Sequence, residues 1–354
     1  MKIHIFIKLV VILFLFSTHT FALDINTQAI SKDKSFLALV YHNDLIRIYS
    51  LRTGKLTQEL KSKEGNIHTI DFNADGSKLI SGTWSNHATL WDTKTGTILK
   101  KKNVSEHVMH AFFSADEKSI ALVLAKKGLV LYNKTLAHEL NSFKVDSHLR
   151  ISDNKQFVVV EESNNTIGIV DLIKQKIVMH FPKHSYHEDI FFCEDSNIVI
   201  IQDELNFHIW DIQKKKEIET IRQDIEADSV ALNYTHAELW VSNHHKLEVW
   251  DYHTHKRKKT LLLHEFDINE IEHIVFSDNG SYVSITVELD SGVYQVIVLD
   301  TKNYNIQTII TPKSKTVYST EFIDNSLLLL HSRYPVEVWD ISRKRKAYYF
   351  KKGW

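Results

Sequence analysis

The chain has very little cysteine, proline and glycine. Its 354 residues include one Cys, three Pro and ten Gly. The single Cys193 excludes an intramolecular disulfide, a cysteine-based zinc site and a c-type haem attachment motif. Because Gly and Pro are so few, we expect Asn, Asp, Lys and Ser to form the turns.

Net charge is also small, at −1, which gives no general case for binding nucleic acid or an anionic membrane.

The apolar run Leu9–Phe16 is far shorter than the roughly 20 residues that span a bilayer. It follows two lysines and precedes Thr20-Phe21-Ala22. This pattern is typical of a secretory signal peptide, so we predict a signal peptide at residues 1–22, with a retained N-terminal anchor as the alternative. The expected location is extracytoplasmic, either periplasmic or secreted.

One short pattern recurs along the whole chain. Strong copies of a strand that ends in Trp-Asp finish at Asp92, Asp211, Asp251 and Asp340. Weaker copies finish at Ser50, Asn133, Asp171 and Asp300. The eight copies lie 38 to 49 residues apart. A period of about 40 residues with a Trp-Asp signature is typical of four-stranded propeller blades.

The pattern resembles the WD-repeat family of β-propellers over nearly the whole mature chain. The resemblance implies an all-β fold of four-stranded antiparallel blades in a single domain, residues 23–354, with eight blades expected and seven as the alternative. The first and last units each have four strands of their own, so we expect the ring to close by packing of blade 1 against blade 8. Four tryptophans at the end of strand c are expected to be buried between blades: Trp91, Trp210, Trp250 and Trp339.

The chain departs from the family at two positions. Family members often carry Gly-His before the innermost strand a and Asp in the turn before strand c, and most units here lack both. We therefore expect the hydrogen-bond network that joins Asp, His, Ser and Trp in the family to be incomplete.

The function that the resemblance implies is a monomeric, non-catalytic scaffold that binds other proteins, with no cofactor and no nucleic acid. Propeller topology places the b–c and d–a connections on one face, called here the loop face, and the a–b and c–d connections on the other, the turn face. Long connections are expected on the loop face at residues 181–189, 263–270 and 288–292. The predicted partner-binding residues are aromatic or acidic residues of that face: Trp84, Tyr186, Glu188, Asp189, Phe266, Asp267, Glu270 and Tyr334.

Two alternatives remain open from the sequence. Basic c–d connections on the turn face, at residues 214–216, 256–259 and 343–346, suit an anionic polymer or lipid surface. The second alternative is an extracytoplasmic enzyme or metal-dependent propeller, either quinoprotein-like or with histidine ligands. The histidines considered for such a metal site are His180, His184 and His187.

Overall fold

The computed structural model describes residues 28–41, 44–144, 150–152, 154–162, 166–182, 189–192, 197–203, 206–222, 229–243, 246–254, 256–263, 266–314, 316–332 and 335–350. Over these residues the chain forms eight four-stranded antiparallel sheets, each from four consecutive strands. The predicted eight-bladed all-β propeller is therefore confirmed. The predicted signal peptide lies outside the described residues.

Within each blade the strands run a to d in chain order. Blades 1 and 2 contain β1 (Gln28–Ile30), β2 (Phe36–Tyr41), β3 (Leu45–Ser50), β4 (Leu56–Lys61), β5 (Ile67–Phe72), β6 (Lys78–Thr83), β7 (His87–Asp92) and β8 (Ile98–Asn103). Blades 3 and 4 contain β9 (Val108–Phe113), β10 (Ser119–Leu124), β11 (Gly128–Asn133), β12 (Glu139–Phe143), β13 (Arg150–Ile151), β14 (Phe157–Glu162), β15 (Thr166–Asp171) and β16 (Lys176–Pro182).

The second half of the ring repeats this order. Blades 5 and 6 contain β17 (Asp189–Phe192), β18 (Ile198–Gln202), β19 (Asn206–Asp211), β20 (Lys216–Arg222), β21 (Ser229–Asn233), β22 (Glu238–Asn243), β23 (Lys246–Asp251) and β24 (Lys256–Leu262), with a 3-10 turn at Tyr234–His236. Blades 7 and 8 contain β25 (Ile268–Phe276), β26 (Tyr282–Leu289), β27 (Tyr294–Asp300), β28 (Ile306–Ile310), β29 (Val317–Phe322), β30 (Leu327–Ser332), β31 (Val336–Asp340) and β32 (Arg345–Phe350). Among the described residues, no helix has the length and apolar character needed to cross a membrane.

The core of the protein consists of eight apolar clusters, one at each interface between neighbouring blades. Strands b and c supply most of their residues, because both faces of each sheet are covered by a neighbouring blade. Burial of this apolar surface is the main force that holds the ring together.

Serine, asparagine and aspartate close the turns, as predicted. In the a–b turns a Ser or Asn side chain accepts the first amide of strand b, as in Phe36 N to Ser31 Oγ (2.9 Å) and Lys78 N to Asn73 Oδ1 (2.7 Å). In the c–d turns the aspartate of the Trp-Asp pair accepts a backbone amide of the turn itself, as when Asp92 Oδ1 accepts Thr95 N at 2.8 Å. Side-chain acceptors of this kind stabilise turns that contain little Gly or Pro.

The ring closes where blade 8 meets blade 1, as expected. An apolar cluster there joins Leu37 and Leu39 of blade 1 to Leu329 and Val338 of blade 8. No strand is exchanged between these two blades among the described residues, since each forms a sheet of its own four strands. The seam between blades 8 and 1 is thus held by side-chain packing and polar contacts.

One ion pair on the seam joins the a–b turn of blade 1 to strand a of blade 8. Lys34 Nζ contacts Glu321 Oε1, and His331 Nε2 lies 3.3 Å from Glu321 Oε2. Burial alone would raise the pKa of Glu321, but the hydrogen bond from His331 and the charge of Lys34 outweigh it and lower the pKa to about 2. Charged Glu321 therefore stabilises the closed ring.

We expect this contribution to depend on pH in a defined window. A carboxyl group whose folded pKa is about 2, against an ordinary 4.5, adds stability above pH 4.5 that is lost as the pH falls toward 2. The variant Glu321→Gln should be less stable than wild type at neutral pH, and the difference should shrink below pH 4.5. Urea unfolding across this range measures it. Glu139→Gln, in an exposed pair with Lys127, is the control, and an equal pH dependence in both variants would contradict the assignment.

Blade 7 differs from the expectation. Long loops were predicted at 263–270 and 288–292, but residues 268–270 belong to strand a and residues 288–289 to strand b. Strand β25 is nine residues long and its pairing with β26 shifts register twice, between Ile268 and Glu270 and between Ile271 and His273. Bulges absorb additional residues within a paired strand. Glu270 and Glu288 consequently lie opposite each other in the sheet rather than in loops.

The burial predicted for the four strand-c tryptophans is correct only for Trp91, which is 1% exposed. Trp210, Trp250 and Trp339 are partly exposed. Arg257 lies over the Trp250 ring and Lys346 over the Trp339 ring, at 5.7 and 5.3 Å from the ring centroids. The Trp250 and Trp339 rings are each covered on one face by a flexible cationic side chain, which leaves part of the ring in solvent.

Candidate binding face

Trp84 is the predicted residue that the structure presents most clearly. It lies in the b–c turn of blade 2, between β6 and β7, and its side chain is 40% exposed. The His68 ring of β5 lies 4.3 Å from the indole, and the His107 ring of the next blade lies 5.4 Å away. Rings from two blades thus hold an exposed indole in place, and aromatic pairs of this spacing add to its stability.

A third histidine, His110 on β9, lies near His68. Burial and the charge of His68 together lower the pKa of His110 to about 4, so its imidazole is uncharged at physiological pH.

A second group of predicted residues lies at blade 7. Phe266 is partly buried and packs against the apolar cluster between blades 6 and 7. Asp267 is exposed, has a left-handed backbone (φ 46), and its carbonyl accepts the amide of Asp290 at 2.9 Å. This contact joins the d–a connection before blade 7 to the b–c hairpin of the same blade. Phe266 is therefore anchored to the core, and Asp267 is the more accessible of the two.

Glu270 belongs to a group of three glutamates on the same blade. One carboxylate oxygen from each of Glu270, Glu272 and Glu288 lies within 4.8 Å of the others. The Tyr294 hydroxyl donates to Glu272 Oε1 at 3.3 Å, and burial together with these carboxylates raises the pKa of Tyr294. The group concentrates negative charge on the loop face, which attracts cationic groups of an approaching molecule.

The structure divides the predicted site residues between two places. Trp84 is on blade 2, whereas Phe266, Asp267 and Glu270 are on blade 7. Asp189 begins β17, but its side chain is not described. The positions of three other predicted residues lie outside the described residues: Tyr186, Glu188 and Tyr334.

Several neighbours of the predicted residues were not among those predictions. His68 and His107 flank Trp84, and Glu272 and Tyr294 complete the acidic group. Glu270 and Glu272 are two residues apart, the spacing that places side chains on one face of a strand. That spacing is the signal that could have identified Glu272, whereas the proximity of Tyr294 depends on hairpin pairing.

Five of the eleven basic side chains of the competing basic surface form ion pairs with described residues of the protein. Three of its basic side chains pair with acidic groups at Lys214–Asp211 (2.9 Å), Arg257–Glu248 (2.7 Å) and Lys258–Glu238 (3.2 Å). Arg343 and Lys346 also pair with Asp340 and Glu337. Fewer cations than the sequence suggests are therefore available to an anionic polymer.

For a metal ion, the described residues offer only the three glutamates as a group of three or more clustered ligands. An all-oxygen set suits a hard cation rather than zinc. Of the predicted metal histidines, His180 is an exposed residue of β16, and His184 and His187 lie outside the described residues. A histidine-ligated site therefore remains an untested prediction.

Comparison with known proteins gives a family match and two relatives. Residues 54–92 match the model of the WD domain, G-beta repeat. The chain is 29% identical over 90 residues to the periodic tryptophan protein 2 homolog of Schizosaccharomyces pombe, covering 25% of this chain and 10% of that protein. It is 23% identical over 182 residues to apoptotic protease-activating factor 1 of Danio rerio, covering 49% of this chain and 14% of that protein. The matches thus span a small part of each relative's length.

Two solved structures share the fold over most of the chain. The computationally designed Ika8 protein superposes with a TM-score of 0.66 at 16% identity, covering 89% of this chain and 96% of the designed chain. The C-terminal WD40 domain of Sif2 superposes with a TM-score of 0.67 at 12% identity, covering 89% and 95%. At such low identity the likeness concerns the fold alone.

Proposed function

Because this chain is a WD-repeat β-propeller, we propose that it is an exported, non-catalytic scaffold that binds another protein through its loop face. WD-repeat propellers are typically protein-interaction scaffolds. The proposal includes removal of residues 1–22 as a signal peptide, an extracytoplasmic location, either periplasmic or secreted, and a monomeric propeller that uses no cofactor and binds no nucleic acid.

The observation that carries the choice of face is the exposed indole of Trp84 between two histidine rings. Aromatic side chains held in one orientation lose little entropy on binding and dominate the energy of many interfaces. The acidic residues of blade 7, including Asp267 and Glu270, would then increase the rate of encounter with a cationic partner. The internal ion pairs of the basic turns favour the loop face over the turn face.

We expect Trp84→Ala to weaken partner capture by at least about tenfold while leaving the melting temperature unchanged, since hot-spot truncations cost about 2 kcal/mol or more. The exported protein is purified from its native compartment, its N-terminus is sequenced, and it is then used as bait with and without the substitution. An N-terminus at Leu23 is expected, and Met1 on exported protein would contradict cleavage.

The matched control is the double charge reversal Lys256→Glu with Lys344→Glu. These two turn-face lysines form no ion pair among the described residues, so their reversal tests the basic surface without breaking an internal contact. We expect little effect on capture. If the reversal abolishes capture and Trp84→Ala does not, the partner binds the turn face.

A further inference from the structure

A cavity of about 360 Å³ opens on the turn face between blades 4 and 5. Its floor is apolar and consists of Phe157, Val178 and Ile212. Lysines surround its mouth: Lys174 and Lys176 from blade 4 and Lys215 from blade 5. An apolar floor combined with a cationic rim is typical of a recognition site. A packing defect would instead be apolar throughout.

A bridge that is present at some other interfaces between blades is missing beside the cavity. In blades 1 and 3, the residue directly after the bulge of strand d reaches the next blade's c–d turn, as Gln58 Nε2 bonds Lys94 O (3.1 Å) and Asn141 Nδ2 bonds Gln175 O (2.8 Å). The equivalent residue of blade 4 is Met179, which is buried in the apolar cluster. A thioether is at best a weak acceptor and donates no hydrogen bond, so Met179 cannot donate to a carbonyl of the blade 5 turn as Gln58 and Asn141 do in their blades.

Two of the three lysines are free to meet a ligand. Lys174 Nζ already pairs with the buried carboxylate of Asp171 at 3.0 Å. Lys176 and Lys215 are exposed and form no ion pair with any residue that the structure describes. Their charges are therefore available at the mouth of the cavity.

Lys215 has a left-handed backbone, as do the equivalent residues of other blades. Among the described residues, the fourth residue after the end of strand c has this conformation at six positions: Gly54, Gly96, Gln175, Lys215, Tyr304 and Lys344. Glycine adopts this conformation freely, whereas lysine does so at a cost in conformational energy. The Tyr304 side chain at this position reaches back to Glu238 of the preceding blade, at 3.2 Å. Lys215 likewise extends from blade 5 to a cavity lined by blade 4.

We propose that this cavity binds an acidic peptide segment, with one apolar side chain on the floor and a neighbouring carboxylate between Lys176 and Lys215. The volume is at the lower end of the range for small-ligand sites, enough for one or two side chains. Two glutamines, Gln156 and Gln213, also line the cavity. Their Nε2 atoms already donate to Asp171 Oδ2 (3.4 Å) and Asn197 Oδ1 (2.8 Å), and their carbonyl oxygens can accept peptide N–H groups. The occupant is independent of the partner proposed for the loop face.

A peptide fits these groups better than other anions do. Inorganic phosphate would leave the apolar floor unused, and tight phosphate sites usually present arginine or a ring of backbone amides. An acyl chain would offer no hydrogen-bond donor to the side-chain carbonyl oxygens of the two glutamines. A carboxylate attached to an apolar residue of a peptide satisfies the floor, the amides and the lysines together.

The test is fluorescence anisotropy with a short labelled peptide in which one leucine is flanked by aspartate and glutamate. Wild-type protein should bind it saturably. Lys215→Gly should bind about tenfold more weakly, the effect of losing one hydrogen bond to a charged group. The same substitution relieves the left-handed backbone, so the variant should fold at least as well as wild type. Loss of binding therefore reports on the site and not on folding.

Lys344→Gly is the matched control, because it removes the same charge at the equivalent position of blade 8, where no cavity residue is involved. It should bind the peptide as wild type does. Peptides with amides in place of the acids, or glycine in place of leucine, should bind more weakly. Equal losses in both lysine variants, undiminished binding of the amide peptide, no saturable binding, or stronger binding of decanoate or phosphate would each overturn the proposal.

Discussion

Replacing Trp91 with alanine should lower the free energy of unfolding by about 3–5 kcal/mol. The indole is 1% exposed and lies in the apolar cluster between blades 1 and 2. Its Nε1 donates to Ser81 Oγ at 2.9 Å. Truncation would leave a large cavity that cannot close without moving two sheets, and the buried Ser81 hydroxyl would keep only its 3.4 Å hydrogen bond to Thr89 O. Urea unfolding followed by circular dichroism measures the loss.

Trp210→Ala is the matched comparison, because it changes the equivalent residue of blade 5. Trp210 is partly exposed, and its ring packs edge-on against Phe181 with centroids 5.1 Å apart. Less surface is buried, so we expect a smaller loss, about 2 kcal/mol. Equal losses at the two positions would show that the burial difference between the blades has no energetic consequence.

The second large effect is expected for Glu337→Ala, at about 3–5 kcal/mol. Glu337 is fully buried in strand c of blade 8. Its carboxylate pairs with Lys346 Nζ and accepts Trp339 Nε1 (2.9 Å) and Lys313 N (3.2 Å). Removing it leaves one cation and two N–H donors without their acceptor, and unpaired buried polar groups are expensive.

The control for this variant is Glu59→Ala. Glu59 also pairs with a cation of a neighbouring strand, Arg47, at 2.7 Å, but its side chain is 46% exposed. Solvent screens such a pair, so the expected loss is below about 1 kcal/mol. Thermal and urea unfolding of both variants should separate them clearly. Similar losses would mean that the buried carboxylate of Glu337 contributes no more to the free energy of unfolding than the exposed carboxylate of Glu59.

The number of blades and the limits of most strands could be predicted from the sequence, because period and turn chemistry are local properties. The Trp-Asp copies and the Ser, Asn and Asp of the turns are within a few residues of the contacts they make. The strand limits of blade 7 were harder to predict, because additional residues can either extend a strand through bulges or form a loop. Both alternatives use the same number of residues, so sequence length does not distinguish them. Glu270 and Glu288 were placed in loops for this reason.

Side-chain burial was less predictable than strand position. Trp91 and Trp339 end the same kind of strand, yet one donates to a buried serine and the other to a buried glutamate. The pattern Glu-x-Trp at Glu248 and Glu337 is visible in the sequence, but a glutamate in a strand is ordinarily expected in solvent. Each of the two glutamates pairs with a cation of strand d, Arg257 or Lys346, whose position depends on register, and Glu248 also pairs with Lys246 of its own strand.

The candidate site also combines features that could be predicted from the sequence with features that could not. Exposure of Trp84 follows from its place in a turn, whereas its two histidine neighbours come from other strands and blades. The cavity between blades 4 and 5 lies where Met179 forms no hydrogen bond to the turn of the next blade. This difference becomes apparent only when equivalent strand positions are compared in three dimensions.

Closure of the ring without strand exchange determines the order in which its parts can form. Every blade consists of consecutive residues, so its hydrogen bonds form within short loops that cost little entropy to close. The seam is different, because Lys34 and Glu321 are 287 residues apart and Leu51 and Tyr348 are 297 apart. Contacts between such distant residues form slowly. We therefore expect the protein to pass from an open arc of finished blades to a closed ring in a late step, and we expect the ring to open first at the seam.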